Sequence, residues 1–82
     1  MHLEILTPDK KVFSGEVNSV NLPGSAGPFE VLTNHAPIIS TLEKGNVRIK
    51  VSGNKEENLV IDGGVVEVLN NNIIVLAEAV VG

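Results

Sequence analysis

Few side chains in this sequence are suited to catalysis or ligand binding. There are two histidines, His2 and His35, and no cysteine. Structural zinc needs several Cys, His or carboxylate ligands at short, regular spacings. Neither histidine has a cysteine partner or a second histidine nearby, so a metal site is disfavoured. His35, Ser40 and Asp62 supply the residue types of a hydrolytic triad, but no nucleophile-elbow motif surrounds the serine. Gly24-Ser-Ala-Gly27 has the glycines of a phosphate loop without the Gly-Lys-Ser/Thr and the helix that complete one. The adjacent carboxylates Glu56 and Glu57 fall in a polar stretch and are expected to be solvated. With these motifs missing, catalysis by this chain is disfavoured, and no cofactor is expected.

The remaining candidate is the segment Asn34-His35-Ala36-Pro37. It lies between two apolar runs, Phe29 to Leu32 and Ile38 to Leu42. Asn and His side chains there can bond to nearby backbone and fix a corner, and that structural role is the first reading of His35. The alternative is a recognition surface. Gly24, Gly27, Pro28 and Pro37 give this region its dense turn punctuation.

The elements that must position these residues read as short strands. His2 to Thr7 carries Leu3, Ile5 and Leu6 and ends at the turn Thr7-Pro8-Asp9-Lys10. Val12 and Phe13 form a short run that Ser14-Gly15 is expected to stop. Glu16 to Leu22 alternates, with Val20 and Leu22 on one face, and Phe29 and Val31 or their alternates are expected in the core. Asn46 to Val51 alternates most cleanly, with Val47, Ile49 and Val51 on one side. Ser52 to Asn58 reads as a polar loop, after which Leu59 to Asp62 returns to form a hairpin. Gly63-Gly64 reads as a bend or bulge. Val65 to Leu69 is a strand, Asn70 to Asn72 a turn, and Ile73 to Ala77 a strand apolar on both faces. Such a strand implies cover on each side, part of it from another molecule. Glu78 to Gly82 trails off. No segment shows helical spacing, so an all-β sandwich or flattened barrel of short, mostly antiparallel strands is predicted, in one domain over residues 1–82.

Composition narrows the function classes. A net charge of −4, from six basic and ten acidic residues, leaves no basic stripe for nucleic acid. The only aromatic residues are Phe13 and Phe29, too few for stacking platforms on sugars or bases. No apolar run approaches the length of about 20 residues that spans a bilayer, and the N-terminus lacks a signal pattern. A soluble chain is expected, without direct membrane insertion and peripheral to a membrane only through a partner. These readings amount to a small non-enzymatic β-sandwich that binds a partner.

Three ordered blocks make the sequence more specific. Gly24-Ser-Ala-Gly-Pro-Phe-Glu-Val-Leu-Thr-Asn-His-Ala-Pro-Ile-Ile-Ser-Thr-Leu-Glu-Lys-Gly45 resembles the signature of the epsilon subunit of F-type ATP synthases. Asp62-Gly-Gly-Val-Val-Glu-Val-Leu69, followed by Ile74-Val-Leu-Ala-Glu78, is similar to that family's Gly-Gly-x-x-Glu-Val and Val-Leu-Ala block. The opening His2-Leu-Glu-Ile-Leu, with Phe13-Ser-Gly15, fits the same pattern. The resemblance spans essentially the whole chain.

That resemblance implies an N-terminal β-sandwich of about ten strands at the foot of the central stalk. Its function would be non-catalytic, coupling the gamma subunit to the membrane c-ring of a proton-translocating synthase during rotary ATP synthesis. Its place would be peripheral, on the cytoplasmic face of the bacterial cell membrane. By matching family positions, Thr7, His35, Ala36, Pro37, Ile38 and Ser40 are expected at the gamma interface. Ala26, Gly27, Pro28, Phe29 and Glu30 are expected to face the polar loops of the c-ring. The chain departs from the family pattern at Pro28, where an acidic residue is usual, at Glu30, where glycine is usual, and at Thr33, where proline is common. It also ends at Gly82, before the C-terminal helical hairpin that most members carry. Inhibition by hairpin extension, and nucleotide binding by that route, are therefore not expected. An unrelated protein- or ligand-binding β-module is the alternative reading, and a small hydrolase built on His35, Ser40 and Asp62 a more distant one.

Overall fold

A computed structural model describes all 82 residues, Met1 to Gly82. Seven strands form: β1 His2–Leu6, β2 Lys11–Glu16, β3 Ser19–Leu22, β4 Phe29–Leu32, β5 Ile38–Lys50, β6 Glu56–Leu69 and β7 Asn72–Ala77. They make one sheet in the order β2-β1-β7-β6-β5-β3-β4. All neighbours are antiparallel except β1 and β7, which run parallel. No helix is long and apolar enough to cross a membrane.

The long strands β5 and β6 turn this single sheet into a sandwich. Their second and first halves, Asn46–Lys50 and Glu56–Val60, pair with each other, and this end of β5 also carries β3 and then β4. Their other halves, Ile38–Leu42 and Gly64–Leu69, pair with each other, and there β6 carries β7, β1 and β2. Between the halves the ladder opens. The Glu43 amide donates to the Pro23 carbonyl at 2.9 Å, and the Gly63 carbonyl accepts from the Glu78 amide at 3.0 Å. The apolar residues of the two halves then meet in one cluster: Leu3, Ile5, Val66, Val68, Ile73 and Val75 from one, Val20, Leu22, Val31, Val47, Ile49 and Ile61 from the other. Period-two alternation puts all of these on inner faces, which is why they are buried.

Several expected boundaries move. Ile38–Leu42 and Asn46–Lys50 are one strand, because Glu43, Lys44 and Gly45 stay extended; Lys44 and Gly45 remain opposite Asp62 and Ile61, and only Glu43 and Gly63 part. Seven strands form where the resemblance implied about ten, and β5 and β6 each join two runs that read as separate. Ser14 and Gly15 do not stop β2; the strand runs on to Glu16 and the break falls at Val17-Asn18. Gly63-Gly64 is a bend without a bulge, since Leu42 opposes Gly64 and Lys44 opposes Asp62 in one unbroken register. The register does slip between Ile5 and Leu6, where β1 meets β2. Glu56 to Asn58 belong to β6 and not to a loop. Cross-strand groups hold them: Arg48 Nε lies 3.1 Å from a Glu56 carboxylate oxygen, and the Asn46 amide donates to Asn58 Oδ1 at 3.0 Å. Glu56 is therefore paired, and the Asn58 amide together with Arg48 holds its carboxyl below the usual carboxylate range. Finally, the tail does not trail off. Val80 bridges Ile61, and Val60 exchanges backbone hydrogen bonds with Val81 and Gly82 at 2.8 Å each.

Candidate partner-binding site

Within this chain Ile73 to Ala77 is covered on one side. Ile73, Val75 and Ala77 are buried, while Ile74 and Leu76 face outward, Leu76 being 54% exposed. Register extends that outer face across four strands. One row runs Thr41, Val65, Leu76, Leu6, and the next runs Ile39, Glu67, Ile74, Glu4. Val65, Leu69 and Ile39 are also exposed, Ile39 to 75%. Scattered surface aliphatics are ordinary, but this set occupies adjacent positions on one sheet face, the pattern of an interaction surface.

At one border of this face the chain forms the His35 corner. A groove of about 400 Å³ is lined by Pro37, Ile38, Ile39, Glu67, Val68 and Leu69. A polar groove of about 320 Å³, lined by Asn34, His35, Pro37, Asn70 and Asn71, shares Pro37 with it. Asn70 and Asn71 form the two-residue turn from β6 to β7, both with positive φ, 51° and 62°, as a type I′ hairpin requires. Asn71 also clasps the opposite corner. Its Oδ1 accepts the Asn34 amide at 2.6 Å, and its Nδ2 donates to Asn34 Oδ1 at 3.0 Å. His35 is half-buried, its ring Nδ1 donating to the Ala36 carbonyl at 2.7 Å. Of the side-chain-to-backbone bonds expected here, His35 makes one, while the Asn34 side chain bonds that of Asn71 instead. Replacing Asn71 by glycine keeps the turn and removes the clasp. The expected cost is about 1 kcal/mol, a fall in Tm of about 4–8 °C by thermal melt.

The residues assigned to a gamma contact do not all share one surface. Ile38 and Ser40 lie opposite Val68 and Val66 on the inward side of β5, half-buried at the sandwich margin, while Ile39 and Thr41 point outward. Ala36 and Pro37 are exposed. Thr7 sits at the far end of β1 from His35. Its amide and hydroxyl bond to the Lys10 carbonyl at 2.9 and 3.2 Å, and its neighbours across a groove are Glu78, Ala79 and Val80. The hydrolase set is dispersed as well. Asp62 opposes Lys44, four residues along β5 from Ser40, a separation of about 13 Å along the strand.

The turn from Gly24 to Pro28 projects elsewhere. Gly27 donates to the Gly24 carbonyl at 3.0 Å to close it, and Ser25 N–H donates to the Thr41 carbonyl at 3.0 Å to tie it to β5. A Cβ at Gly24 would lie 2.8 Å from the Phe29 ring, so only glycine lets that ring pack here. Phe29 is half-buried against the core; Ala26, Gly27, Pro28 and Glu30 are exposed. Asn21, Pro28, Phe29 and Glu30 line a groove of about 250 Å³, beside which Asn21 Oδ1 is buried with no hydrogen-bond partner.

Sequence reading missed Ile39, Val65 and Leu69 as surface residues. The signal available was the doubly apolar pattern of Ile73 to Ala77; only register shows which residues of β5 and β6 share its outer face.

The description of the family model that matches residues 1–82 is "ATP synthase, Delta/Epsilon chain, beta-sandwich domain". The ATP synthase epsilon chain of Chlorobaculum tepidum is 47% identical over 78 residues, covering 95% of this chain and 89% of that protein. The ATP synthase epsilon chain of Maridesulfovibrio salexigens is 46% identical over 76 residues, covering 93% of this chain but 53% of that protein. Among solved structures, a chain of the Euglena gracilis mitochondrial ATP synthase, OSCP/F1/c-ring in rotational state 1, superposes with a TM-score of 0.89 at 22% identity, over 96% of this chain and 51% of that one. A chain of the Tetrahymena thermophila mitochondrial ATP synthase central stalk/c-ring gives 0.84 at 14% identity, over 98% of this chain and 64% of that one. At these identities the two structures speak for the fold.

Proposed function

The chain belongs to the ATP synthase delta/epsilon family, as its β-sandwich domain, and we propose from that premise that residues 1–82 form one non-catalytic rotor domain. In this reading it sits in the central stalk, grips the gamma subunit and rests on the polar loops of the c-ring. It passes torque between them while other subunits carry out ATP synthesis. It is peripheral, at the cytoplasmic face of a bacterial membrane, and holds no cofactor.

The observation that carries the proposal is the exposed apolar face of β5, β6, β7 and β1 in a chain of this family. That face would receive gamma, with the His35 to Pro37 corner at its border. The margin residues Ile38 and Ser40 would support the corner from within, and Thr7 would touch gamma only at the opposite end of the sheet. The turn from Ala26 to Glu30 would meet the ring. There Pro28 removes a backbone donor and an acid from the usual pattern, and Glu30 supplies a carboxylate on the edge strand. A close-packed sandwich suits a torque link because packed interiors deform little under load.

Complex formation with an F1 complex depleted of this subunit tests the reading. A specific contact buries about 1,200–2,000 Å² in total, and binding below micromolar Kd is expected. The His35→Ala variant refines the test. Affinity is expected to fall about tenfold, a share typical of a contributing interface residue. Tm should fall by no more than about 5 °C, since one ring-to-backbone hydrogen bond is lost. A large fall in Tm with unchanged affinity would return His35 to a purely structural role.

A further inference from the structure

The outer apolar face contains two carboxylates, and they are treated differently. Glu4 and Glu67 flank Ile74 on either side in one cross-strand row. Glu4 has partners within the chain: Lys11 Nζ lies 3.6 Å and His2 Nε2 3.3 Å from its carboxylate. Glu67 enters none of the five ion pairs, and no side-chain or backbone donor bonds to its carboxylate. Its cross-strand neighbours are Ile39 and Ile74, and Pro37, Ile39, Val68 and Leu69 share its groove.

Exposed as it is, Glu67 is well solvated in the free chain. A partner that covers Ile39, Ile74 and Leu76 must also cover Glu67, which lies between Ile39 and Ile74. Taking an unpaired carboxylate out of water is strongly unfavourable, and only a well-placed opposite charge with further hydrogen bonds offsets that. We infer that the surface docking here is apolar with a single cation, an arginine or lysine side chain of the gamma subunit, placed over Glu67. Arg fits the demand better, because its planar fork meets a carboxylate with two hydrogen bonds. Glu67 then sets register on an otherwise featureless apolar face. This inference rests on the gamma-docking proposal and names the chemistry of that contact.

Binding of the full chain and its Glu67→Gln variant to the epsilon-depleted F1 complex, measured from low to high salt, tests it. Glutamine keeps the shape and removes the charge. The variant is expected to bind at least tenfold more weakly, and its affinity should depend less on salt than that of the unaltered chain. Glu57→Gln, an exposed carboxylate on the opposite half of the sandwich, should bind unchanged, and all three chains should melt alike. Equal or tighter binding by Glu67→Gln would overturn the inference while leaving the docking proposal intact. Failure of the unaltered chain to bind would remove both.

Discussion

Gly64→Ala is expected to lower Tm by about 10–25 °C. Gly64 lies where β6 turns from one half of the sandwich to the other, opposite Leu42 on β5 and Ala77 on β7, with φ 155°. A Cβ added there would run into the Leu76 carbonyl and stand 3.0 Å from the Ala77 Cα. Both obstacles are backbone, so no side-chain rotation relieves them, and either the β6–β7 ladder parts or the strand distorts. Steric conflict combined with an unfavourable backbone angle costs about 3 kcal/mol, and a domain of this size loses about 4–8 °C of Tm per kcal/mol. Gly15→Ala supplies the contrast, because its added Cβ would meet only the Phe13 ring at 3.9 Å. That variant should melt within about 4 °C of the unaltered chain. Calorimetry on both variants checks the prediction, and equal melting temperatures would show that β6 bends there without needing glycine.

The second large effect concerns binding. Leu76→Asp places a charge in the middle of the outer face, between Val65 and Leu6 in its row. Leu76 is already half-exposed and its side chain supports none of the core, so the fold should survive with a loss of about 1 kcal/mol, mostly from the poor strand preference of aspartate. Docking, by contrast, would have to bury an unpaired carboxylate against an apolar surface. A loss of at least about a hundredfold in affinity is expected, equivalent to about 2.7 kcal/mol. Ile39→Asp, on the neighbouring row, should act in the same direction. A variant that melts normally and fails to bind separates an interface role from a structural one.

Alternation made the inner faces legible. Val47 and Ile49 announce their side by regular spacing with Asn46, Arg48 and Lys50, and Val20 and Leu22 do so with Asn21. What alternation did not reveal was continuity. Ile38 to Leu42 and Asn46 to Val51 read as separate runs with two charges and a glycine between them, yet the backbone stays extended there while the Glu43 amide turns to the Pro23 carbonyl. The tail was likewise opaque, since Val80, Val81 and Gly82 pair with β6 through backbone groups that every sequence has. At the candidate site, Asn34-His35-Ala36-Pro37 stood out by its turn chemistry, and the His35 bond to neighbouring backbone follows from that. Its clasp to Asn71 did not, because the partner lies 37 positions away. The outward direction of Val65 and Leu69 was hidden for a simpler reason. In Val65-Val-Glu-Val-Leu69 apolar residues occupy both parities, and only pairing with β5 and β7 decides which parity faces out.

The central claim is that this domain links gamma to the rest of the rotor through the outer face of β5, β6, β7 and β1. The most direct test is the Kd of the full chain for the epsilon-depleted F1 complex, set beside that of Leu76→Asp. The account predicts sub-micromolar binding by the first and at least a hundredfold weakening in the second, with Tm lowered by no more than about 8 °C. No binding by the unaltered chain at micromolar concentration, or equal binding by both, would contradict it.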